Sequence, residues 1–259
     1  MRNRATHAGR RAPDGTTVRA GRPRGSRQRG LPSWQWHPAA PQGTIHQDPM
    51  PRPTDFTYAL ERLPVAGFAD LRSSYDRLPL DPYINGVFRR RRFAHFLGPA
   101  HALRRLGHMH FLQSKAVNRL AGGMKREFQE LEEDLLAMPA FQAMVARFIA
   151  FMGIDPELRE IGVHQIRICC SPEFAGSPAP EGIHQDGFDF IGIFCVERFR
   201  ILGATTRIYP ARDQPPMFSR ELQTGEVVFA NDRRVFHFGE LVRPSGDQPG
   251  HWDLLVITS

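Results

Sequence analysis

The tetrapeptide Ile-His-Gln-Asp occurs twice in the 259-residue sequence, at Ile45–Asp48 and at Ile183–Asp186. Both copies contain His-x-Asp, which supplies two of the three protein ligands of a two-histidine, one-carboxylate metal centre. Side chains two residues apart on an extended segment point the same way, so this spacing allows both to bind one ion. In a chain with 11 histidines and 27 acidic residues, however, the tripeptide also arises by chance. The surroundings must decide between the copies.

The two copies lie in different surroundings. The first lies in a proline-flanked stretch where nothing is expected to hold two ligands in place, so we interpret it as accidental. The second precedes a β-rich run and is followed by only two further histidines, His237 and His251. His237 lies 51 residues after Asp186, in a turn that leads into a predicted strand. A second interpretation stays open at this point, because His184 with Asp186 can form a polar turn and His237 can be a hydrogen-bonded histidine at a strand end.

The elements around these residues indicate a mainly β fold. After Gly162, short runs rich in β-branched and aromatic residues are separated by turn residues, with no helical pattern between them. This favours an antiparallel sandwich or jelly roll, in which a later strand can return beside an earlier one. The predicted strands are Val163–Cys169, Phe188–Val196, Thr205–Tyr209, Glu226–Ala230, Val235–Phe238 and Trp252–Thr258.

Residues 54–162 carry mainly helical patterns, which predict a helical layer preceding a β core at about 163–259 in one domain. In the last of these patterns, apolar residues recur at spacings of three and four and form one face that must pack on something. Two stretches, Phe88–Phe93 (FRRRRF) and His108–Gly123, are interpreted as short extended pieces and turns. The predicted helices are Ala66–Tyr75, Val117–Leu120, Met124–Ala137 and Ala140–Met152.

The net charge of +7 lies at one end of the chain. Residues 1–50 contain nine Arg, no Lys and two Asp, whereas the remainder carries 25 basic and 25 acidic residues. A segment of Arg, Gly, Pro and Ser cannot build a core, so we expect residues 1–53 to form a disordered tail. A folded nucleic-acid-binding domain would carry the basic excess itself, so no specific nucleic-acid partner is expected.

Membrane and disulfide signals are also weak. The longest apolar stretch, Leu135–Ile154, is interrupted by Gln142 and Arg147 and therefore predicts a packed amphipathic helix, not a bilayer span. Three cysteines, two of them adjacent, do not resemble a disulfide framework or paired zinc ligands. A reducing cytoplasm is the expected location, and the sequence makes no prediction of the oligomeric state.

Beyond these patterns, the sequence resembles the bacterial Fe(II)- and 2-oxoglutarate-dependent dioxygenases related to free L-amino-acid hydroxylases such as isoleucine 4-hydroxylase. The resemblance covers roughly residues 80–259, and the combination of PEGIHQDGFDF with NDRRVFH is specific. The matching strings are DPYINGVFRRRRF at Asp81, FLQSKAVNRLAGGMKREF at Phe111, VHQIRI at Val163, PEGIHQDGFDF at Pro180, LGATTRIY at Leu202, NDRRVFHF at Asn231 and GHWDLLVIT at Gly250.

The resemblance implies a double-stranded β-helix, or jelly-roll, core and an iron ion held by His184, Asp186 and His237. It also implies Fe(II) as the metal, 2-oxoglutarate as cosubstrate and O2 as oxidant. The expected chemistry is oxidative decarboxylation of 2-oxoglutarate to succinate and CO2, with hydroxylation of a nearby C–H bond or oxidation of a sulfur. We therefore expect a dioxygenase acting on a small molecule, a free L-amino acid or a derivative.

One position departs from the family pattern. The family usually reads Gly-x-Arg-Asp in the last strand, where the arginine holds the distal carboxylate of 2-oxoglutarate. Here the string is Gly-His-Trp-Asp, so Trp252 occupies the arginine position. An indole donates one hydrogen bond but cannot neutralise a carboxylate. Arg207 and Arg243 are the nearest substitutes by sequence, although either could instead be a solvated surface charge.

Three more residues in the matching strings, Gln113, Asn118 and Arg167, are candidates for the substrate pocket; each could instead satisfy buried backbone groups. Trp252 also leaves a second function open, namely a catalytically degenerate jelly-roll protein that acts as a binding or sensory module. A third interpretation is a nucleic-acid-associated protein that uses the arginine-rich tail.

Overall fold

The computed structural model describes residues 56–108, 110–111, 113 and 122–259. Four of the sequence predictions lie outside the described residues: the first Ile-His-Gln-Asp copy, the tail 1–53, the predicted helix Val117–Leu120 and the candidate Asn118.

The strands are β1 Tyr58–Arg62, β2 Arg89–Leu97, β3 Arg104–Arg105, β4 Ile161–Cys170, β5 Phe190–Phe199, β6 Ile201–Gly203, β7 Thr205–Tyr209, β8 Phe218–Glu221, β9 Glu226–Asn231, β10 Phe236–Gly239, β11 Val242–Pro244 and β12 Gly250–Thr258. The helices are α1 Arg72–Asp76, α2 Glu133–Leu136 and α3 Pro139–Met152, with a 3-10 turn at Phe68–Leu71.

The architecture is mostly β. Seven strands form one antiparallel sheet in the order β1-β9-β5-β12-β4-β2-β3. A three-stranded antiparallel sheet has the order β10-β7-β8, and β11 pairs with β6. All six strands predicted after Gly162 are confirmed as β4, β5, β7, β9, β10 and β12, with ends within two or three residues. β-Branched and aromatic residues at these positions fit a pleated, half-buried surface.

The seven-stranded sheet buries both of its faces. Along β5, Phe194 and Val196 belong to the apolar cluster that also contains the buried face of α3, whereas Ile193 and Cys195 belong to a second cluster. The second cluster includes Ile208 of the three-stranded sheet, so the two sheets share one core. Alternation with period two sorts the side chains of each strand between these environments. The side chains on the inner face are the ones that can reach a site between the sheets.

Helix α3 confirms the apolar face predicted at Ala140–Met152. Its side chains pack on the outer face of the sheet, where the rings of Phe151 and Phe229 stack at 4.2 Å between centroids. A Cβ atom at Gly192 would lie 2.9 Å from the ring of Phe148, so only glycine allows this close approach of helix and strand. No helix among the described residues combines the length and apolar character that a bilayer crossing requires.

The expected N-terminal helical layer is partly wrong. Residues 54–162 contribute three strands to the large sheet, and of the predicted helix Met124–Ala137 only Glu133–Leu136 is helical. The first part of Met124–Ala137 forms backbone hydrogen bonds with earlier segments of the chain and not within itself. Arg126 and Phe111 exchange two hydrogen bonds of 2.8 and 3.1 Å, and the carbonyl of Gln129 accepts the N–H of Phe93 at 3.0 Å. These long-range pairings override the local helix propensity.

Candidate metal centre

The fold brings the second Ile-His-Gln-Asp copy next to His237. The backbone N–H of His184 donates to the carbonyl of His237 at 3.0 Å, and the N–H of His237 donates to the carbonyl of His184 at 2.8 Å. This bridge joins the segment before β5 to the start of β10, and β10 is itself held by antiparallel pairing with β7. The two imidazole rings lie 4.2 Å apart between centroids. Tertiary pairing thus closes a gap of about fifty residues between the candidate ligands.

The three predicted ligands point their donor atoms at one another. The Oδ1 atom of Asp186 lies 3.7 Å from the Nε2 of His184, and its Oδ2 atom lies 3.7 Å from the Nε2 of His237. All three ligand atoms lie within 4.8 Å of one another, and both histidines are buried. Separations of 3.7 Å are too long for hydrogen bonds. Two imidazoles and a carboxylate on one side of a small space are the donor set of non-haem Fe(II) sites, so the residues fit this metal.

The hydrogen bond of the His184 ring and the pKa of the His237 ring both suit metal binding. The Nδ1–H of His184 donates to the carbonyl of Gly182 at 2.8 Å, which leaves Nε2 as the free donor atom of the neutral ring. Burial, reinforced by the neighbouring His184, lowers the pKa of His237 to about 3. The His237 imidazole is therefore neutral at physiological pH. Metal ligation requires the deprotonated nitrogen, so no proton need be removed from His237 at neutral pH.

Asp232 organises the loop that carries Asp186, and the sequence interpretation missed it. Its buried carboxylate accepts the backbone N–H groups of Asp186 at 3.1 Å, Gly187 at 2.7 Å and Phe188 at 3.1 Å. Gly187 has φ +88°, a conformation that glycine adopts without strain. Burial and the charge of Asp186 raise the pKa of Asp232 to about 7. Its position in the NDRRVFH string was the available signal, but no pattern in the sequence links it to the distant loop.

Asp232→Ala is expected to raise the Fe(II) dissociation constant about 10–100-fold, the usual cost of losing an outer partner of a metal site. The three N–H donors lose their acceptor, so the loop no longer fixes the Asp186 carboxylate. Anaerobic Fe(II) titration measures the effect, with Asp247→Ala, an exposed aspartate, as the control. A dissociation constant unchanged from wild type in Asp232→Ala would contradict this role.

The triad lies in the wall of a cavity between the two sheets. Most of the lining is apolar and includes side chains of β4, β5 and β12. The charged and polar groups are few, and they lie on β2, on β4, on β7 and near the triad. The lining outside the triad includes Ile166, Ile168, Ile191, Ile193, Trp252, Leu254, Val256, Arg89, Arg91, His164, Glu181 and Thr206. Such a mostly apolar cavity with a few polar groups is typical of a small-molecule site.

Trp252 lines this cavity together with Leu254 and Val256. Its indole is almost fully buried, and the Nε1–H donates to the Sγ atom of Cys195 at 3.3 Å. An indole has a single donor, so this contact uses it within the protein core. The position that usually carries an arginine therefore offers no polar group to a ligand in this chain.

The two arginines expected to substitute for it do not line the cavity. Arg207 follows Thr206 on β7, and because Thr206 faces the cavity, Arg207 faces away and forms an ion pair with Glu240 at 2.5 Å. Arg243 lies exposed on β11. Proximity in sequence does not specify which sheet face a side chain occupies, and the structure places neither residue in the wall of this cavity.

The candidates for the substrate pocket have separate locations. The Nε2 of Gln113 donates to the Asp186 carbonyl at 3.0 Å, so Gln113 lies beside the triad. Arg167 alternates with Ile166 and Ile168, which face the cavity, and therefore lies on the opposite face of β4. There it forms a paired contact with the Asp253 carboxylate at 2.6 and 2.8 Å. The structure thus places Arg167 in an ion pair and not in the wall of this cavity.

A second cluster of possible ligands, Glu197, His251 and Asp253, has ligand atoms that also lie within 4.8 Å of one another. Its carboxylates already have cationic partners, since Arg167 binds Asp253 and Arg72 binds Glu197 at 2.5 Å. Charge neutralisation by arginine leaves little reason for a cation to bind there. The His184, Asp186 and His237 triad is the better candidate for iron.

Comparison with known proteins agrees with this geometry. A family model described as 2OG-Fe dioxygenase matches residues 72–258. Among solved structures, a bsmA homolog from Methylobium petroleophilum PM1 is similar with a TM-score of 0.67 and 25% identity, over 78% of this chain and 87% of that chain. Two others share the fold: IDO from Bacillus thuringiensis (TM-score 0.60, 16% identity, 74% of this chain and 82% of that chain) and the Fe(II)/(alpha)ketoglutarate-dependent dioxygenase TqaL (TM-score 0.52, 19% identity, 74% of each chain).

No curated protein sequence matches this chain significantly. The family match nevertheless spans most of the described residues and includes all three residues of the triad. Fe(II), 2-oxoglutarate and O2 are the cofactor and cosubstrates of that family, and the triad supplies the donor set for the metal. The chain therefore belongs to the 2OG-Fe dioxygenase family and is a 2-oxoglutarate-dependent dioxygenase.

Proposed function

We propose that this dioxygenase hydroxylates a small molecule, a free L-amino acid or a derivative, within a double-stranded β-helix core. The observation that carries the substrate class is the presence of both charge signs near the triad: the part-buried carboxylate of Glu181 in the cavity wall, and the buried guanidinium of Arg126, which is linked to Asp186 through Gln113. A zwitterion needs a carboxylate for its ammonium group and a guanidinium or similar donor for its carboxylate. The resemblance of the sequence to free L-amino-acid hydroxylases supports the same class.

Glu181 is the candidate partner for the ammonium group. Its Oε1 lies 3.4 Å from the Nε2 of His184, and its side chain lines the cavity. No arginine or lysine among the described residues forms an ion pair with it, so a ligand cation would find an unshared carboxylate there. An ammonium group at this position would hold the adjacent carbon close to the metal.

Arg126 is the candidate partner for the carboxylate group. It is almost fully buried, its Nη2 donates to the Oε1 of Gln113 at 2.5 Å, and Gln113 in turn contacts Asp186. Its guanidinium forms no ion pair with a carboxylate of the described residues, and burial lowers its pKa. A buried cation without an anion is costly, so a bound carboxylate would stabilise it.

The side chains of the site bind, orient and exclude water. His184, Asp186 and His237 would hold the metal, which would leave its other positions to ligands. When bound, Fe(II) with 2-oxoglutarate and O2 supplies the oxidising power, and 2-oxoglutarate is decarboxylated to succinate. The isoleucine and valine side chains of the walls keep bulk water from the reacting C–H bond. No side chain has to act as a general base.

The arrangement of the two sheets supports the proposed double-stranded β-helix core. The seven-stranded sheet and the three-stranded sheet share an apolar cluster that contains Ile168 of β4, Ile208 of β7 and Trp252 of β12. Two antiparallel sheets that face each other around a ligand cavity are what a jelly roll requires. The triad at the edge of the cavity fits this arrangement.

A panel of L-amino acids tests the substrate proposal. With Fe(II), 2-oxoglutarate and O2, at least one member should stimulate succinate formation and gain one oxygen atom, detected by mass spectrometry. Its N-acetyl derivative, its amide and its D-enantiomer are the matched controls. The first two should be turned over poorly because each loses one of the two ion pairs, and the D-enantiomer because it cannot form both pairs and place the same C–H bond at the metal. Glu181→Gln should raise the KM for the amino acid at least about tenfold, equivalent to 1.4 kcal/mol of binding.

Two results would contradict the proposal. Succinate formation that no L-amino acid or derivative stimulates would reject the substrate class while leaving the dioxygenase activity intact. The absence of any succinate formation by an iron-loaded protein would instead favour the degenerate binding module.

A further inference from the structure

The distal carboxylate of 2-oxoglutarate needs a cation that the last strand does not supply. Trp252 stands at the usual arginine position and donates its N–H to Cys195, while Arg207 and Arg243 do not line the cavity. Among the described residues, the guanidinium groups that line it are those of Arg89 and Arg91 on β2. Both come from the FRRRRF string, in which period-two alternation puts the first and third arginines on one face.

The register of the sheet places these two arginines close to the vacated position. Arg89 pairs with Ile168, which pairs with Trp252, so the three residues form one row across β2, β4 and β12. Arg91 lies in the next row, opposite Ile166 and then Leu254. Residues paired across antiparallel strands share a face, so both guanidiniums approach the cavity from the side of Trp252 and Leu254.

Arg89 is already neutralised. Its Nε donates to the Oδ2 of Asp81 at 2.8 Å, and both side chains are buried, with 8% and 0% of their surface exposed. The remaining oxygen of Asp81 accepts the backbone N–H of Tyr83 at 2.9 Å. This closed pair leaves little net charge for a ligand, and breaking it would strand a buried carboxylate.

Arg91 has no such anion in the part of the chain that the structure describes. No carboxylate of the described residues forms an ion pair with it, although only 7% of its surface is exposed. Its Nη2 lies 2.6 Å from the Nδ1 of His164, and its guanidinium lies 4.5 Å from the ring centroid of Phe128 and 5.2 Å from that of Phe111. Burial and the adjacent cation lower the pKa of His164 well below its ordinary value, so the ring is a neutral acceptor.

The Nε–H of Arg91 also has no hydrogen-bond partner among the described residues. Neutral neighbours and aromatic faces offset only part of the cost of burying a guanidinium, and the planar fork of N–H donors matches a carboxylate in a paired contact. The combination of burial, a missing counter-charge and a position in the cavity wall indicates a site for a ligand carboxylate.

We propose that Arg91 binds the distal carboxylate of 2-oxoglutarate, in place of the arginine that Trp252 replaces. The inference rests on the cosubstrate of the family and is independent of the amino-acid substrate. The chemistry that Arg91 recognises, a carboxylate, is also present in an amino acid, so the experiment has to separate these two sources.

The test measures binding, without turnover, to the anaerobic Fe(II)-loaded protein. The ligands are 2-oxoglutarate and 2-oxopentanoate, which share the metal-chelating 2-oxo acid and the five-carbon chain but differ in the distal carboxylate. The visible absorption of the Fe(II) chelate reports both dissociation constants. Arg91→Gln should weaken 2-oxoglutarate binding at least about tenfold and change 2-oxopentanoate binding by less than about threefold, so that the preference for the dicarboxylate is lost.

Two variants make the test specific. Arg90→Gln is the matched control, since Arg90 is the adjacent residue on the opposite face of β2 and donates to the carbonyl of Leu78; its 2-oxoglutarate affinity should stay within about threefold of wild type. Arg91→Lys keeps the charge but loses the paired donors, and it should weaken 2-oxoglutarate selectively by more than about threefold and by less than Arg91→Gln. This variant carries the test if Arg91→Gln no longer folds or binds Fe(II).

Three outcomes would overturn the proposal. Unchanged affinity for 2-oxoglutarate in both Arg91 variants would place the anchor elsewhere. Equal weakening of 2-oxoglutarate and 2-oxopentanoate would show a general defect of the site. A loss of amino-acid affinity with unchanged 2-oxoglutarate affinity would assign Arg91 to the carboxylate of the substrate.

Discussion

Replacing His184 or His237 by Ala is expected to abolish stoichiometric Fe(II) binding. Each substitution removes one of three protein donors, and the remaining imidazole and carboxylate no longer form the facial set that holds the ion. The loss should exceed the roughly 10–100-fold effect typical of outer partners such as Asp232.

Anaerobic Fe(II) titration with metal analysis of the desalted protein measures this loss. His251→Ala is the matched control, since His251 belongs to the second cluster with Glu197 and Asp253 and should leave Fe(II) binding unchanged. Thermal unfolding of the apo-proteins separates loss of metal from loss of fold. If His251→Ala lost iron and His184→Ala retained it, the metal would belong to the second cluster.

Arg167→Ala is expected to destabilise the protein by about 3–5 kcal/mol, the usual cost of removing one partner of a buried ion pair. The guanidinium binds the Asp253 carboxylate through Nε and Nη2, and its Nη1 binds Asp76 at 2.6 Å. Asp253 is fully buried, so its charge would be left without its arginine partner where β12 pairs with β4 and with the bulged strand β5. Denaturant unfolding of the apo-protein measures the free energy, with the midpoint and slope compared against wild type.

A double-mutant cycle isolates the pair. Asp253→Ala in the Arg167→Ala background should cost much less than in the wild type, because the stranded charge is gone. Arg72→Ala is the control, since its ion pair with Glu197 has a 60% exposed arginine side chain and should contribute less than about 1 kcal/mol. Fe(II) affinity should persist in Arg167→Ala under native conditions. If Arg167→Ala raised the KM for the substrate without loss of stability, Arg167 would have to be assigned to the substrate pocket.

Local pattern was sufficient for much of the β core. Alternating β-branched and aromatic residues between turn residues predicted six strands, because burial of one face per strand leaves a period of two in the sequence. The same pattern failed at Met124–Ala137. Its apolar positions suit a helix as well as an extended chain, and pairing of Arg126 with Phe111 decided for the extended form. Competition of this kind depends on partners that are distant in sequence.

The sequence by itself determined which residues could form the donor set. The spacing of His184, Asp186 and His237 left a polar turn open as an alternative, and the resemblance of the surrounding strings to the dioxygenase family implied the metal. Only the tertiary structure decided which groups share the cavity. Arg207 and Arg167 lie on strand faces that point away from the cavity, whereas Arg91 lies in its wall. The carboxylate of Asp232 accepts hydrogen bonds from the loop that carries Asp186. Strand register determines which face of the sheet a side chain occupies, and long-range strand pairing determines its neighbours. The spacing of residues in the sequence encodes neither the face nor the neighbours.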